Sequence, residues 1–219
     1  RAGQGGEARR QHRGITFLMV DMKTPGIAVR PIISMGWQHA TNETFYEDVR
    51  VPVDQVVGEE NRGWYVGMTL LDFERSSIAG AIHQRKALEE MLEHVHDASG
   101  TPNRIELLRR EVADRAVEIE VNNNLSLRIA SMQANGILPN YEASMGKMYS
   151  SELSQRLSRT GTKVFGLYGN LWSGTDDLSP LHARHTQTYV SSVVGTIAAG
   201  SSEIQRNIIA TRGLGLPRG

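Results

Sequence analysis

Residues 58–98 read GEENRGWYVGMTLLDFERSSIAGAIHQRKALEEMLEHVHDA, and the fold turns on this stretch. Gly58-Glu-Glu-Asn-Arg-Gly63 is polar and bracketed by glycines. Strand-like patterning stops there. From Trp64 to about Ala98 the apolar residues Met68, Leu71, Ile78, Ile82, Leu88, Met91, Leu92 and Val95 recur near helical spacing. Ser99-Gly100-Thr101-Pro102 then breaks the pattern.

Toward the C-terminus the helical signal repeats. A second stretch runs from about Arg104 to Ala134, with Ile105, Leu108, Val112, Ile119, Leu125 and Ile129 on one side, and Asn135-Gly136 ends it. A third opens at Pro139 and runs to about Phe165, with Met145, Met148, Leu153, Leu157 and Val164 inward and a serine-rich opposite face suited to close packing. Residues 166–182 form a glycine-rich connection. Helical character returns at Arg184–Ile197, breaks at Gly200 and resumes at Ser201–Leu214. Three helices of about 30 residues and a short terminal pair predict a four-helix bundle with an extra terminal helix. The apolar repeat is not a strict 3.5, which favours a bundle over a coiled coil.

Toward the N-terminus the pattern is β. Gly14–Asp21, Ile27–Ile33 and Glu43–Val51 read as short strands, punctuated by Thr24-Pro25-Gly26 and closed by Pro52. An antiparallel sheet or partial barrel is expected. The fold class is α+β, mainly α: a partial antiparallel β-barrel domain, then the bundle.

The 219 residues carry 24 Lys+Arg and 24 Asp+Glu. Zero net charge argues against nucleic acid or an anionic membrane as a broad electrostatic partner. With no cysteine, disulfides, thiolate metal sites and cysteine nucleophiles are excluded. The leader RAGQGGEARRQHRG lacks the apolar core of a signal peptide. Val190–Gly200 is too short and too polar to span a bilayer. The chain reads as cytoplasmic (mitochondrial matrix if eukaryotic), and its start at Arg1 rather than Met suggests a piece of a longer protein.

Candidate chemistry is sparse. His182-x-x-His185 has ligand-like spacing on a helix, but no carboxylate motif accompanies it. We read these histidines as solvated or capping, and expect no metal. Gly166-Leu-Tyr-Gly169 follows a helix rather than a strand, so it reads as a helix-ending loop, not a phosphate cradle. In Leu70-Leu-Asp-Phe-Glu-Arg-Ser76, Asp72 and Arg75 share a helical side, while Glu74 lies among apolar neighbours. Taken alone, these are surface ion pairs. A carboxylate in apolar surroundings can also have a raised pKa and act as a base. In Gly195–Ile209, Gly200 precedes Ser201, Ser202 and Glu203, which supply N-cap chemistry. That turn is either a plain cap or a donor site for a cofactor's polar groups.

Five segments, in order, resemble the C-terminal half of an acyl-CoA dehydrogenase. They are Gly14–Asp21 with Thr24–Ile27, Phe45-Tyr-Glu-Asp-Val-Arg-Val-Pro52, Gly63-Trp-Tyr-Val-Gly67, Leu71-Asp-Phe-Glu-Arg75 and Ala198-Ala-Gly-Ser-Ser-Glu-Ile-Gln-Arg-Asn-Ile-Ile-Ala210. The resemblance implies that residues 1–60 are the later part of a middle β-domain and 61–219 a C-terminal helical bundle domain. It also implies FAD-dependent oxidation of an acyl-CoA thioester to the 2,3-enoyl-CoA. In many members a glutamate directly before the glycine of the Gly-Ser/Thr-Ser turn is the base; here that position is Ala199. In isovaleryl- and long-chain-type members the base sits on the first bundle helix, where Glu74 matches.

By the same resemblance, the Ala199 backbone N–H serves the thioester oxygen. Asp72 and Arg75 lie near the CoA chain and site floor, and Ser201 and Glu203 near the flavin. Implied partners are electron-transferring flavoprotein as acceptor and sister subunits in a homotetramer or mixed tetramer. The chain also departs from the family. The Arg-x-x-Phe-Gly segment that reaches a neighbouring subunit's FAD is replaced by His94–Asn103, the glutamine that usually precedes the helix-ending loop by Lys163, and one loop glycine by Leu167. A non-catalytic or half-site partner subunit of a mixed tetramer is the alternative these departures suggest.

Overall fold

The structure is a computed structural model, and it describes residues 12–74, 79–97 and 102–217. Two compact units divide the chain, one ending at Glu74 and the other beginning at Arg75.

In the first unit, β1 (Ile27–Ile33) and β2 (His39–Tyr46) pair antiparallel, from Ile27 opposite Tyr46 to Ile33 opposite His39. The register slips between Ile32 and Ile33. The strand expected at residues 43–51 thus begins and ends earlier. It stops where Asp48 adopts φ +49, a left-handed conformation no strand tolerates. The run at 14–21 is not a sheet strand. It pairs through isolated bridges, Ile15 with Arg62 and Leu18 with Val56, and the Met19 amide donates to the Gln55 carbonyl at 2.9 Å. The expected partial barrel is therefore, among the described residues, a two-stranded open sheet with two bridges. Nearly every side chain of the hairpin is exposed, so no core covers it among the described residues. Helix α1 (Gly63–Glu74) follows, tied back by the Gly63 amide, which donates to the Ile15 carbonyl at 2.7 Å.

The second unit is helical: α2 (Ala79–Asp97), α3 (Pro102–Ala134), α4 (Tyr141–Phe165), α5 (Arg184–Ser191) and α6 (Ser202–Ile208). Its core joins Leu88 and Met91 of α2, Val112 and Ile119 of α3, and Leu153, Leu157 and Val164 of α4. The inward stripe of α2 runs through Ala81, Gln84, Leu88 and Met91. Ile82, expected inward, is 56% exposed, because a polar residue takes the neighbouring core position. Gln84 Nε2 donates to the Ser150 carbonyl at 2.9 Å, and its Oε1 accepts from Asn122 Nδ2 at 2.9 Å. One buried amide thereby joins three helices.

The serine-rich face of α4 is buried as expected: Ser144, Ser158 and Thr160 are all within the core. Ser158 satisfies its hydroxyl on the Ser154 carbonyl a turn earlier. Asn135-Gly136 ends α3, with Gly136 at φ +70.

The helix count is matched only in part. The single helix expected over 64–98 appears as α1 and α2, and residues 75–78 lie outside those described. Residues 184–197 are α5 plus a 3-10 segment, Ser192–Thr196. Residues 201–214 are α6 plus a π-helical turn, Ile209–Gly213. Mainly helical α+β is the class that stands. Among the described residues no helix is long and apolar enough to cross a membrane.

Candidate active site

The residue pattern that ends the bundle builds a tight turn. Ala199 sits at φ +54 and Gly200 at φ +90, two left-handed residues in succession. For alanine this costs about 1 kcal/mol or more. At Gly200 a side chain is excluded twice over. The φ disfavours it, and an added Cβ would lie 2.5 Å from Gln205 Nε2.

Ser201 is the N-cap of α6, in extended conformation, and its hydroxyl oxygen accepts from the Ile204 amide at 3.4 Å. Ser201 also hydrogen-bonds the Glu203 side chain. The Glu203 carboxylate is held below its ordinary range, first by its own backbone N–H, then by Ser201, with Arg206 and Lys147 adding charge. The cap expected from the sequence is therefore present, with Ser201 rather than Ser202 in the capping role. Ser202 is buried, and its hydroxyl has no partner among the described residues.

Two residues that the sequence reading passed over complete the turn. Gln205 is fully buried, and its Nε2 donates to the Ala199 carbonyl at 3.1 Å and the Gly200 carbonyl at 3.2 Å. Lys147, on α4, donates from Nζ to the Gly200 carbonyl at 2.6 Å. Glu152 of α4 receives Arg206 of α6 at 2.6 Å, so α4 is tied both to the turn and to the helix that follows it. Gln205 was detectable as a polar residue one helical turn after the cap. Lys147 was not, since 53 positions separate it from its partner.

The other site residues expected from the sequence fall outside what the structure describes. Asp72 and Glu74 belong to the last turn of α1, and their side chains are outside the described part. Arg75 lies outside the described residues.

Of the departures near the end of α4, Lys163 has a structural partner. Lys163 pairs with both oxygens of Glu111, at 3.0 and 2.9 Å, and Thr160 donates to the same carboxylate at 2.9 Å. Burial pushes Glu111 up, but the hydrogen bonds from Lys163 and Thr160 outweigh it and hold the carboxyl below its usual range. Leu167 is 83% exposed. Gly166 ends α4 at φ +58 and leads into a 3-10 segment, Gly166–Asn170.

The histidine pair does not share a helical face. Leu181, His182 and Ala183 form a left-handed turn before α5 (φ +48, +55 and +58), and His182 Nδ1 bonds the Gly174 carbonyl at 3.0 Å. His185 corrects our reading of it as solvated: it is 3% exposed, packed by Phe165. Burial, with Arg184 adding repulsion, lowers its pKa to about 4. Its Nε2 has no partner among the described residues.

A model of the family described as "Acyl-CoA dehydrogenase, C-terminal domain" matches residues 61–214. "Acyl-CoA dehydrogenase FadE29" of Mycobacterium tuberculosis is 34% identical over 215 residues, covering 95% of this chain and 54% of the relative. "Cyclohexane-1-carbonyl-CoA dehydrogenase" of Geobacter metallireducens is 30% identical, covering 90% and 51%. Among solved structures, the ChsE4–ChsE5 complex from Mycobacterium tuberculosis superposes with a TM-score of 0.83 at 30% identity, covering 97% of this chain and 56% of that one. The "Tcur3481-Tcur3483 steroid ACAD" gives 0.84 at 29% identity, covering 96% and 54%. The chain spans about half the length of the relatives it matches. With the C-terminal-domain model of the family covering most of its residues, this chain belongs to the acyl-CoA dehydrogenase family.

Proposed function

We propose that the protein to which this chain belongs is a FAD-dependent acyl-CoA dehydrogenase, forming 2,3-enoyl-CoA from an acyl-CoA thioester. The observation that carries the reading is the Ala199 turn. A residue without a side-chain base stands where many members place one, while the turn itself is built with care. Removal of the α-proton needs a base beside it and hydrogen-bond donors for the thioester oxygen as charge develops. Glu74 is the proposed base. The Ala199 N–H, which needs no side chain, is the proposed donor. Asp72 and Arg75 are assigned to the CoA chain and the floor of the site. Residues 1–60 are assigned to the β-domain and 61–219 to the bundle domain, in keeping with a family match that begins at residue 61.

The turn suits a flavin's polar edge in kind. The amides of Ala199, Gly200 and Ser201 make no backbone hydrogen bond among the described residues, and the Ser202 hydroxyl is an orphaned buried polar atom. Ser201 and Glu203 are the residues assigned to hold it. The chemistry supplied by bound FAD is acceptance of the β-hydrogen as hydride. Electron-transferring flavoprotein is the proposed acceptor. One relative, 28% identical, is itself named as a subunit of a caffeyl-CoA reductase–Etf complex.

We assign a ring-bearing acyl group to the substrate. One relative, 30% identical, is named a cyclohexane-1-carbonyl-CoA dehydrogenase, and a solved structure, 29% identical, is named a steroid ACAD. The deciding experiment is Glu74→Gln in the full-length protein, with FAD content measured. A loss of at least about 10²-fold in turnover is expected, the scale of a lost general base. Turnover near wild type at full flavin content would overturn the assignment.

A second reading has this chain as the non-catalytic or half-site member of a mixed tetramer. Two of the similar solved structures carry two-component names, ChsE4–ChsE5 and Tcur3481–Tcur3483. Co-purification and flavin stoichiometry separate the readings. A homotetramer with one FAD per chain rejects the second.

A further inference from the structure

The proposed activity gives the turn before α6 a task, and the bundle beneath it shows how the turn is kept in one conformation. The Ala199 and Gly200 carbonyls converge on one atom, Gln205 Nε2, at 3.1 and 3.2 Å. Lys147 Nζ takes the Gly200 carbonyl as well, at 2.6 Å, which is a charge-assisted bond. No peptide bond among the described residues is cis. In a trans peptide the N–H runs antiparallel to the C=O. Drawing both carbonyls toward the buried Gln205 therefore turns the Gly200 and Ser201 amides to the opposite side.

That choice of side is not automatic. A two-residue turn with left-handed members has an alternative in which the central peptide rotates, and glycine makes such a rotation inexpensive. The rotated form would aim a carbonyl oxygen at the side now held by amides. A thioester oxygen held by the Ala199 N–H, whose own peptide does not rotate, would then meet a negative dipole end beside that donor as its charge develops. Gln205 and Lys147 oppose this from two helices, α6 and α4. The ammonium also polarises the Gly200–Ser201 peptide, which strengthens its N–H as a donor.

We propose that Gln205 and Lys147 are positioning residues for the reaction, clamping the Ala199–Gly200–Ser201 turn so that amides and not carbonyls face the reacting thioester. The proposal rests on the functional reading above. It adds two residues that act only through the backbone and touch neither substrate nor flavin.

The test uses full-length holoenzyme, with its partner subunit if it has one, carrying Gln205→Met, Lys147→Met or Lys147→Arg. Three quantities are read besides flavin content and melting temperature: kcat against KM for an acyl-CoA, and amide hydrogen exchange in the 197–204 segment. The methionine variants keep side-chain length but donate nothing. In both, kcat falls about 10- to 10²-fold at little-changed KM, and exchange at the turn rises. Lys147→Arg, which keeps a charged donor, restores most of the rate. Unchanged exchange in both methionine variants overturns the clamp. Faster exchange with unchanged kcat overturns its role in the reaction, as does a rate loss that tracks flavin content or melting temperature. A wild-type holoenzyme that does not oxidise acyl-CoA sinks the functional reading instead, and hydrogen exchange still judges the clamp.

Discussion

The imidazole of His185, on α5, occupies the space where any other residue than Gly161 would put a side chain on α4. A Cβ at position 161 would collide with Nδ1 and Cγ of the ring. The two helices meet closely because one has no side chain at the contact and the other offers a flat ring. Gly161→Ala is expected to cost about 1–3 kcal/mol, the range for overpacking a filled interior. Chemical denaturation of the full-length protein measures it. Gly161→Ala combined with His185→Ala should recover part of the loss, and an unaltered midpoint in the single variant would show the contact to be slack.

The same ring makes stability depend on pH. Burial first, and the Arg184 charge second, lower the His185 pKa from 6.5 to about 4, while the Ala87 carbonyl pulls slightly the other way. The folded state thus holds the ring neutral. The unfolded state begins to bind the proton at the ordinary histidine pKa, so the stabilisation is complete above about pH 6.5 and is lost as pH falls toward 4. The limit is about 3 kcal/mol across that window. His185→Gln should be less stable at pH 7.5, yet show a flatter pH dependence between 6.5 and 4. Parallel curves for the two proteins would refute the burial argument.

These two residues also show where sequence reading stops. Helices α3 and α4, with their approximate limits, and the core positions Leu88, Met91, Val112, Ile119, Leu153, Leu157 and Val164 follow from apolar spacing alone. The Ser201 cap follows from a serine after glycine at a helix start. His185 looked solvated because ring burial depends on Gly161, 24 positions away, a pairing no local pattern encodes. Ile82 looked buried because its apolarity outweighed Gln84. Gln84 is inside only because Asn122 and Ser150 satisfy it. The barrel expectation came from strand-like runs. Backbone detail at Asp48 and the isolated pairing of residues 15 and 18 leave a hairpin with two bridges among the described residues.

Gln84 makes that point measurable. Gln84→Leu leaves the Asn122 side chain without its acceptor in the interior, and an unsatisfied buried polar group costs about 1–3 kcal/mol. Replacing both partners, Gln84→Leu with Asn122→Leu, should cost less than the sum of the single changes, because neither polar group is then stranded. A double-mutant cycle by urea denaturation reads this directly. Simple additivity would mean that the two side chains act independently.

The Lys163–Glu111 pair is a weaker element. Lys163 is about half exposed, so its charge is screened and the pair stabilises by no more than about 1 kcal/mol. Lys163→Met should lower stability by that amount at low salt and by less at high salt. Removing the lysine also removes the first hydrogen bond opposing burial at Glu111, so that carboxyl should titrate at higher pH, as NMR would detect. A salt-independent loss would point to packing of the lysine stem instead.

Gly200→Ala tests the turn most severely. The substitution places a side chain at φ +90, where only glycine sits without strain, and drives its Cβ to within 2.5 Å of Gln205 Nε2. Gln205 is fully buried and bonded to two carbonyls, so it has no free direction in which to yield. Strain of roughly 1–3 kcal/mol is expected, with part of it relieved by giving up the Gln205 bonds. The variant should therefore be less stable and should also show faster exchange at the Gly200–Ile204 amides. Gly200→Ala with Gln205→Ala separates the two causes. The double variant relieves the collision and leaves the backbone strain, so its stability relative to Gln205→Ala alone reports the φ cost. If that cost is near zero, the left-handed geometry at residue 200 is not required by the turn.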